Sequence, residues 1–286
     1  MTIETDLVST SGVDVHVRGV IHLYPQEGAD VVALRGVDLD IEAGEMLALL
    51  GPSGMGKSTL LHLLAGLLQP SAGEIRIGEV LLSDLTPAGL RQLRASEVSF
   101  VLQDTARNLL PYATVAENVW FAQQGDRRPE RRDVHELLGL LGLGDLAQRK
   151  VRGLPLGLQQ QVALVAAVAI TPRLLLADEP TNQLDTAATE EVIELLRAIN
   201  QRLGTTVVLV THDPLVAGAL PRTVTIRDGR VGAEGRRGVQ YAVLDASGSI
   251  QLPPEVREQF PPMSRFAVEH DGDVITLRPD VEGGEP

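Results

Sequence analysis

The chain has 286 residues, 44% of them hydrophobic, no cysteine, and a formal net charge of −13. That length accommodates one large domain and a small one, the missing thiols exclude disulfides, thiolate metal sites and cysteine nucleophiles, and the acidic balance opposes general attraction to nucleic acid or anionic lipid. No apolar run reaches the ~18 residues of a membrane span, and Met1–Gly12, polar and acidic, lacks the regions of a secretory signal and reads as a flexible tail.

Val13, Val15 and Val17 alternate with polar residues and Ala33–Leu39 repeats the pattern, so residues 13–40 read as antiparallel strands with Tyr24 in a polar loop between them. Glu42–Glu45 turns the chain into Met46–Leu50, an apolar run of the kind buried in parallel sheets. Gly51-Pro52-Ser53-Gly54-Met55-Gly56-Lys57-Ser58-Thr59 follows and fits G-x-x-x-x-G-K-[ST]. Leu60, Leu61, Leu63, Leu64 and Leu67 then recur at helical spacing, which puts the motif at the strand-to-helix junction such a loop requires. Its glycines let backbone N–H groups close around phosphates at a helix N-terminus. Lys57 reaches the β- and γ-phosphates, and the Ser58 hydroxyl ligates Mg²⁺. The chain binds a nucleoside triphosphate.

Downstream, Gly73–Ile77 reads as a strand, Pro87–Leu93 as a helix, Val98–Leu102 as a strand ending at Gln103, and 115–124 and 131–141 as helices. Arg127, Arg128, Arg131 and Arg132 lie among acids and read as a solvated loop and helix start. Gln159–Ile170 is a long helix, Leu174–Ala177 a buried strand running into Asp178-Glu179, Thr189–Gln201 an amphipathic helix, and Thr205–Val210 a third buried strand ending at Thr211-His212-Asp213. Strands alternating with helices give an α/β fold on a parallel sheet. The acid pair and His212 fall at carboxyl ends of strands, where such sheets place their ligands. An apolar run closed by two acids reads, beside a P-loop, as a Walker-B strand: Asp178 holds Mg²⁺, directly or through water, and Glu179 orients or deprotonates the attacking water. In isolation the same carboxylates could cap a helix or solvate a strand end.

Together these motifs resemble the ATPase subunit of ABC transporters, over residues from about 13 to 232. The resemblance implies a P-loop ATPase domain over 13–238, with an antiparallel β subdomain and a helical subdomain, and ATP and Mg²⁺ as cofactors. It implies adenine stacking for Tyr24, Walker A for Gly51–Thr59, the Q-loop glutamine and a metal contact for Gln103, and Walker B for Leu174–Glu179. Thr181-Asn182-Gln183-Leu184-Asp185 matches the D-loop and His212 the switch histidine at the γ-phosphate, so Lys57, Gln103, Glu179 and His212 carry the catalysis. Tyr24 as a half-buried loop aromatic and His212 as a structural histidine are the plainer alternatives. Asn108-Leu109-Leu110-Pro111, with Thr114–Val119 behind it, is similar to the subgroup serving lipoprotein release and macrolide export.

One motif departs from the family. The signature L-S-G-G-Q-Q-Q-R is here Leu154-Pro155-Leu156-Gly157-Leu158-Gln159-Gln160-Gln161. In the family this segment caps the γ-phosphate on the opposite subunit; Pro155 offers neither hydroxyl nor N–H, Leu156 brings a Cβ where close approach needs none, and only Gly157 is kept. Either the backbone N–H groups from Gly157 onward suffice with slower turnover, or the site is degenerate and the chain pairs with a competent second ATPase subunit. The resemblance further implies a membrane permease as partner and a place in the cytoplasm, peripheral on the inner face of the cell membrane. The alternative is a soluble regulatory protein switched by ATP.

Beyond Gly238 the pattern changes. Gln240–Leu244 alternates, Ile250–Leu252 is a short strand, Pro253–Phe260 starts a helix, and Ser264–Glu269 and Val274–Leu277 are strands joined at Asp271-Gly272-Asp273, a hairpin signal. Residues 239–281 resemble a swapped-hairpin module of the AbrB and antitoxin type, matching its D-x-x-G-R-I-x-I-P-x-x-x-R core at Asp245, Gly248, Ile250, Leu252, Pro253 and Arg257, with Ser249 in place of the arginine. Three arginines against seven carboxylates make it a poor partner for DNA, and the resemblance implies dimerisation. Glu282–Pro286 reads as a frayed tail.

Overall fold

The structure, a computed structural model, describes residues 12–26, 28–125, 132–236, 239–244, 259–261 and 263–280 and the single positions 248, 250, 252 and 256. Residues 1–11 of the expected 1–12 tail, the expected tail at 282–286, the arginines at 127, 128 and 131, and Asp245, Ser249, Pro253 and Arg257 of the C-terminal resemblance lie outside these residues, while Gly12 is buried.

The strands are β1 (Val15–Tyr24), β2 (Val31–Ile41), β3 (Met46–Leu50), β4 (Ala72–Ile77), β5 (Val80–Leu81), β6 (Val98–Val101), β7 (Leu174–Asp178), β8 (Thr206–Val210), β9 (Arg222–Arg227), β10 (Arg230–Arg236), β11 (Val239–Ala242), β12 (Phe266–Asp271) and β13 (Val274–Pro279). The helices are α1 (Lys57–Leu64), α2 (Pro87–Ser96), α3 (Val115–Ala122), α4 (Val134–Leu140), α5 (Leu156–Ala167), α6 (Thr186–Leu203) and α7 (Pro214–Ala219). A seven-stranded sheet in the order β11-β10-β9-β3-β8-β7-β6 is parallel from β9 to β6 and antiparallel at β10 and β11. A four-stranded antiparallel sheet, β2-β1-β4-β5, packs against it, and β12-β13 stands as a hairpin of its own.

The central strands read as unbroken apolar runs because both their faces are buried. Met46 and Ala48 of β3 face the core shared with α3, α5 and α6, while Leu47 and Leu49 face the one shared with α1 and the antiparallel sheet. Helix starts follow capping chemistry: Thr114 and Glu117 form a capping box on α3, and the Asp185 carboxylate accepts from the Ala188 N–H at 2.8 Å to open α6.

Several expectations shift. Tyr24 ends β1 opposite Val31 instead of lying in a loop. Helix α5 starts at Leu156, so the signature residues open the helix instead of preceding it. Four elements go beyond the sequence pattern: β5, α7, β9 and β10. Arg222, 5% exposed, anchors β9 by hydrogen bonds to Glu234 (2.8 Å), Glu45 (2.9 Å) and the Asp40 carbonyl (2.8 Å). At the C-terminal end, β11 pairs with β10 and so extends the main sheet, while β12 and β13 carry the expected hairpin.

Candidate functional site

The P-loop is built on three left-handed glycines, Gly51 (φ 136), Gly54 (φ 79) and Gly56 (φ 93). A Cβ on Gly51 would lie 2.1 Å from the Ile226 carbonyl oxygen and one on Gly56 2.5 Å from that of Ala33, so neither position tolerates another residue without moving backbone. The loop is thus held against the backbone of β9 and β2 and hands the chain to α1, whose N-terminus favours an anion. Lys57, 6% exposed, folds its ammonium back onto the carbonyls of Gly51 (2.6 Å) and Pro52 (2.9 Å). Burial pulls its pKa below the usual lysine value, against the carboxylates of Glu179 and Asp178.

Opposite the loop, β7 ends in Asp178, whose Oδ1 accepts from the Ser58 hydroxyl at 3.1 Å. Burial raises the Asp178 pKa, and the Ser58 hydrogen bond only partly offsets this. Glu179 follows in the left-handed region (φ 47), a costly conformation for a non-glycine. Its N–H still donates to the Val210 carbonyl at 3.0 Å, and its Oε2 meets His212 Nδ1 at 2.9 Å, so the strained turn swings the carboxylate from the sheet to the end of β8.

Ser58, Asp178 and Gln103 line one cavity of about 570 Å³, together with Asn182 and Gln183 of the D-loop match and Leu156 of the signature. Hydroxyl, carboxylate and amide oxygens are the hard donors Mg²⁺ takes, so the residues fit that ion. His62 lines the same cavity, and only its i, i+4 spacing from Ser58 on α1 could have pointed to it. Tyr24 lies at the loop's other side, its hydroxyl 3.2 Å from Thr59 Oγ1 and its ring edge-on to His22. Gly157 stands apart from this cavity and lines a shallower recess of about 430 Å³ beside α6. A Cβ there would come within 2.8 Å of the Ala188 Cβ, which gives this one retained signature glycine a packing role of its own.

The sequence profile of the ABC transporter family matches residues 34–182. The chain belongs to the ABC transporter family. It is an ATP-binding cassette subunit, an ATPase of such a transporter. It is 42% identical over 225 residues to the lipoprotein-releasing system ATP-binding protein LolD of Anaeromyxobacter dehalogenans, covering 77% of this chain and 93% of that one. It is 41% identical over 213 residues to the macrolide export ATP-binding/permease protein MacB of Rhodopirellula baltica, where the match spans 73% of this chain and 31% of the longer relative. The cassette MJ0796, solved as a dimer in a post-hydrolysis state bound to ADP and Pi, superposes with a TM-score of 0.68 at 34% identity over 78% of this chain and 98% of its own. No helix among the described residues of this ABC ATPase is long and apolar enough to cross a membrane.

Proposed function

We propose that this ATPase subunit works in a pair on a membrane permease, closing on Mg-ATP and reopening after hydrolysis, in a system akin to lipoprotein release or macrolide export. One observation carries the reading: the Ser58–Asp178 contact and the Glu179–His212 contact sit at the ends of neighbouring strands, one holding the metal side of a triphosphate and the other the water side. Lys57 and the loop N–H groups from Gly51 to Thr59, with Pro52, Ser53 and Met55 shaping the loop, bind the phosphates, and Tyr24 takes the adenine. Ser58, Gln103 and Asp178 hold Mg²⁺, which neutralises charge on the phosphates when bound. Glu179 accepts the proton of the attacking water, and His212 fixes its carboxylate and reaches toward the γ-phosphate. Gly157, at the start of α5, faces the nucleotide of the second subunit.

Around α3 the chain exposes Tyr112 (67%), Trp120 (56%) and Phe121 (58%), large aromatics that suit a permease contact. We also infer that the part of residues 239–281 beyond β11, which itself belongs to the main sheet, forms a swapped-hairpin-like module joining two subunits. The β12–β13 register places Phe266, Val268, Ile275 and Leu277 on one exposed face that carries no carboxylate, and a lone two-stranded hairpin is marginal until such a face is covered.

The test is Mg²⁺-dependent ATP binding and phosphate release by the protein purified with its permease. Lys57→Ala should abolish the thermal shift produced by Mg-ATP. Wild-type protein that shows neither the shift nor hydrolysis would end the reading.

A further inference from the structure

Tyr24 is held by more than the strand it ends. Pairing with Val31 of β2 fixes its backbone on one side, but on the other side β4 leaves β1 at Ile21, opposite Ala72. There the link from α1 to β4 takes over. Ser71 donates its N–H to the Ile21 carbonyl at 2.8 Å, and its hydroxyl oxygen accepts from the Leu23 N–H at 3.1 Å. Such backbone bonds set where the tyrosine stands and leave the rotation of its ring to side-chain contacts.

Two side chains supply those contacts. His22, two residues back on β1, is 7% exposed, and its Nδ1 lies 3.1 Å from the Gln69 carbonyl oxygen. A carbonyl only accepts, so Nδ1 carries the proton and the imidazole is fixed in one orientation. Its ring centroid lies 4.7 Å from that of Tyr24 with the planes at 85°, the perpendicular arrangement that ring quadrupoles favour. At the far end of the ring, the Tyr24 hydroxyl meets Oγ1 of the buried Thr59 at 3.2 Å. A perpendicular neighbour covers at most one face of the tyrosine, and Val31 beside it is 46% exposed, so a flat apolar group finds open surface there. Satisfying the Gln69 carbonyl needs only a donor, which an amide side chain would also provide; the contact with Tyr24 is what uses a second ring.

We propose that His22 is a positioning residue for the nucleotide base: it holds the Tyr24 ring in the orientation in which adenine stacks on it. This rests on the reading above, in which Tyr24 takes the adenine. A ring locked before the base arrives loses little further freedom on binding, so the platform costs less to use. Thr59 belongs to the same helix turn as Lys57 and Ser58, and its contact with Tyr24 ties the base platform to the phosphate end of the site.

The test uses the full-length protein with His22→Gln, which keeps a donor for the Gln69 carbonyl and loses the ring, and His22→Leu as a second variant. Tyr24→Leu and the double variant of His22→Gln with Tyr24→Leu complete the set. Two probes are titrated with Mg²⁺: ATP, and inorganic tripolyphosphate, which has no base. Each His22 variant should raise the Kd for ATP about three- to ten-fold and leave the Kd for tripolyphosphate at the wild-type value. With Tyr24→Leu already in place, His22→Gln should cost nothing further. An unchanged Kd for ATP in His22→Gln would overturn the proposal. An equal loss for both probes, or a loss that persists without Tyr24, would overturn it too, since either marks general damage to the site. Tyr24→Leu that binds ATP as tightly as wild type would instead remove the reading underneath, and that failure shows in a variant whose His22 is intact.

Discussion

At the scale of single residues, Asp178 holds its place against its own charge. It is 8% exposed, and burial lifts its pKa above the ordinary carboxylate value. The native state therefore binds this proton more tightly than the unfolded chain does. The contribution of this group to stability is fullest below the ordinary Asp range and declines as pH rises through that range to the higher native value. Asp178→Asn, neutral at every pH, is expected to melt above wild type near neutrality without nucleotide, with the advantage fading in acid. Equal melting at both ends of the pH range would show that the charge is not penalised. Glu179 makes the complementary case, because its carboxylate is turned out of the sheet toward His212. Glu179→Gln should retain ATP binding and lose about 10²–10⁴ in hydrolysis rate, read as phosphate release. A variant as fast as wild type in the assembled transporter would assign the base elsewhere.

At the scale of elements, α5 opens without a cap. Pro155 occupies the N-cap position with extended backbone (ψ 155) and no side-chain oxygen. Pro155→Ser is expected to supply one and to stabilise the protein by about 1 kcal/mol, seen as a higher melting temperature. Elements differ in how far burial writes them into the sequence. Strands β3, β7 and β8 were legible because burial on both faces demands apolar runs, and the P-loop because three left-handed glycines and a lysine recur at one spacing. Strand β9 was not, since Arg222 and Arg227 bound it and only Val224 and Ile226 face the core. Its buried arginine becomes readable only once Glu45 and Glu234 are seen beside it. The start of α5 was obscured by a proline that marks a helix's first turn as readily as a break. The buried hydrogen bond from the Thr105 hydroxyl to Gln160 Oε1 at 2.6 Å leaves no trace in sequence, because it joins two common residue types across a long separation.

At the scale of the whole molecule, the chain is an ATPase core with a hairpin attached beyond its sheet edge. Val268 (68% exposed) and Ile275 (69%) lie bare on that hairpin, and a second copy is the cover most often at hand once subunits work in pairs. Full-length protein should therefore scatter light as a dimer without nucleotide, and a chain ended after Leu244 as a monomer that still binds ATP. A truncated chain that remains dimeric would assign the contact to another surface. The cut belongs after Leu244 and not at Gly238, because β11 is part of the main sheet. That edge strand has a further consequence when the protein is considered under load. A pull on the C-terminal segment meets β11 at Ala242 and opens its pairs with β10 one after another, and β10 and β9 still separate that edge from the P-loop strand. In mechanical terms β11 is expected to act as a fuse, giving way at the sheet edge before tension on the C-terminal segment reaches the P-loop strand. Stretching the protein by its ends in an optical trap should give a short, low-force extension that leaves ATP bound, and a first rupture that expels the nucleotide would show that the edge carries no such protection.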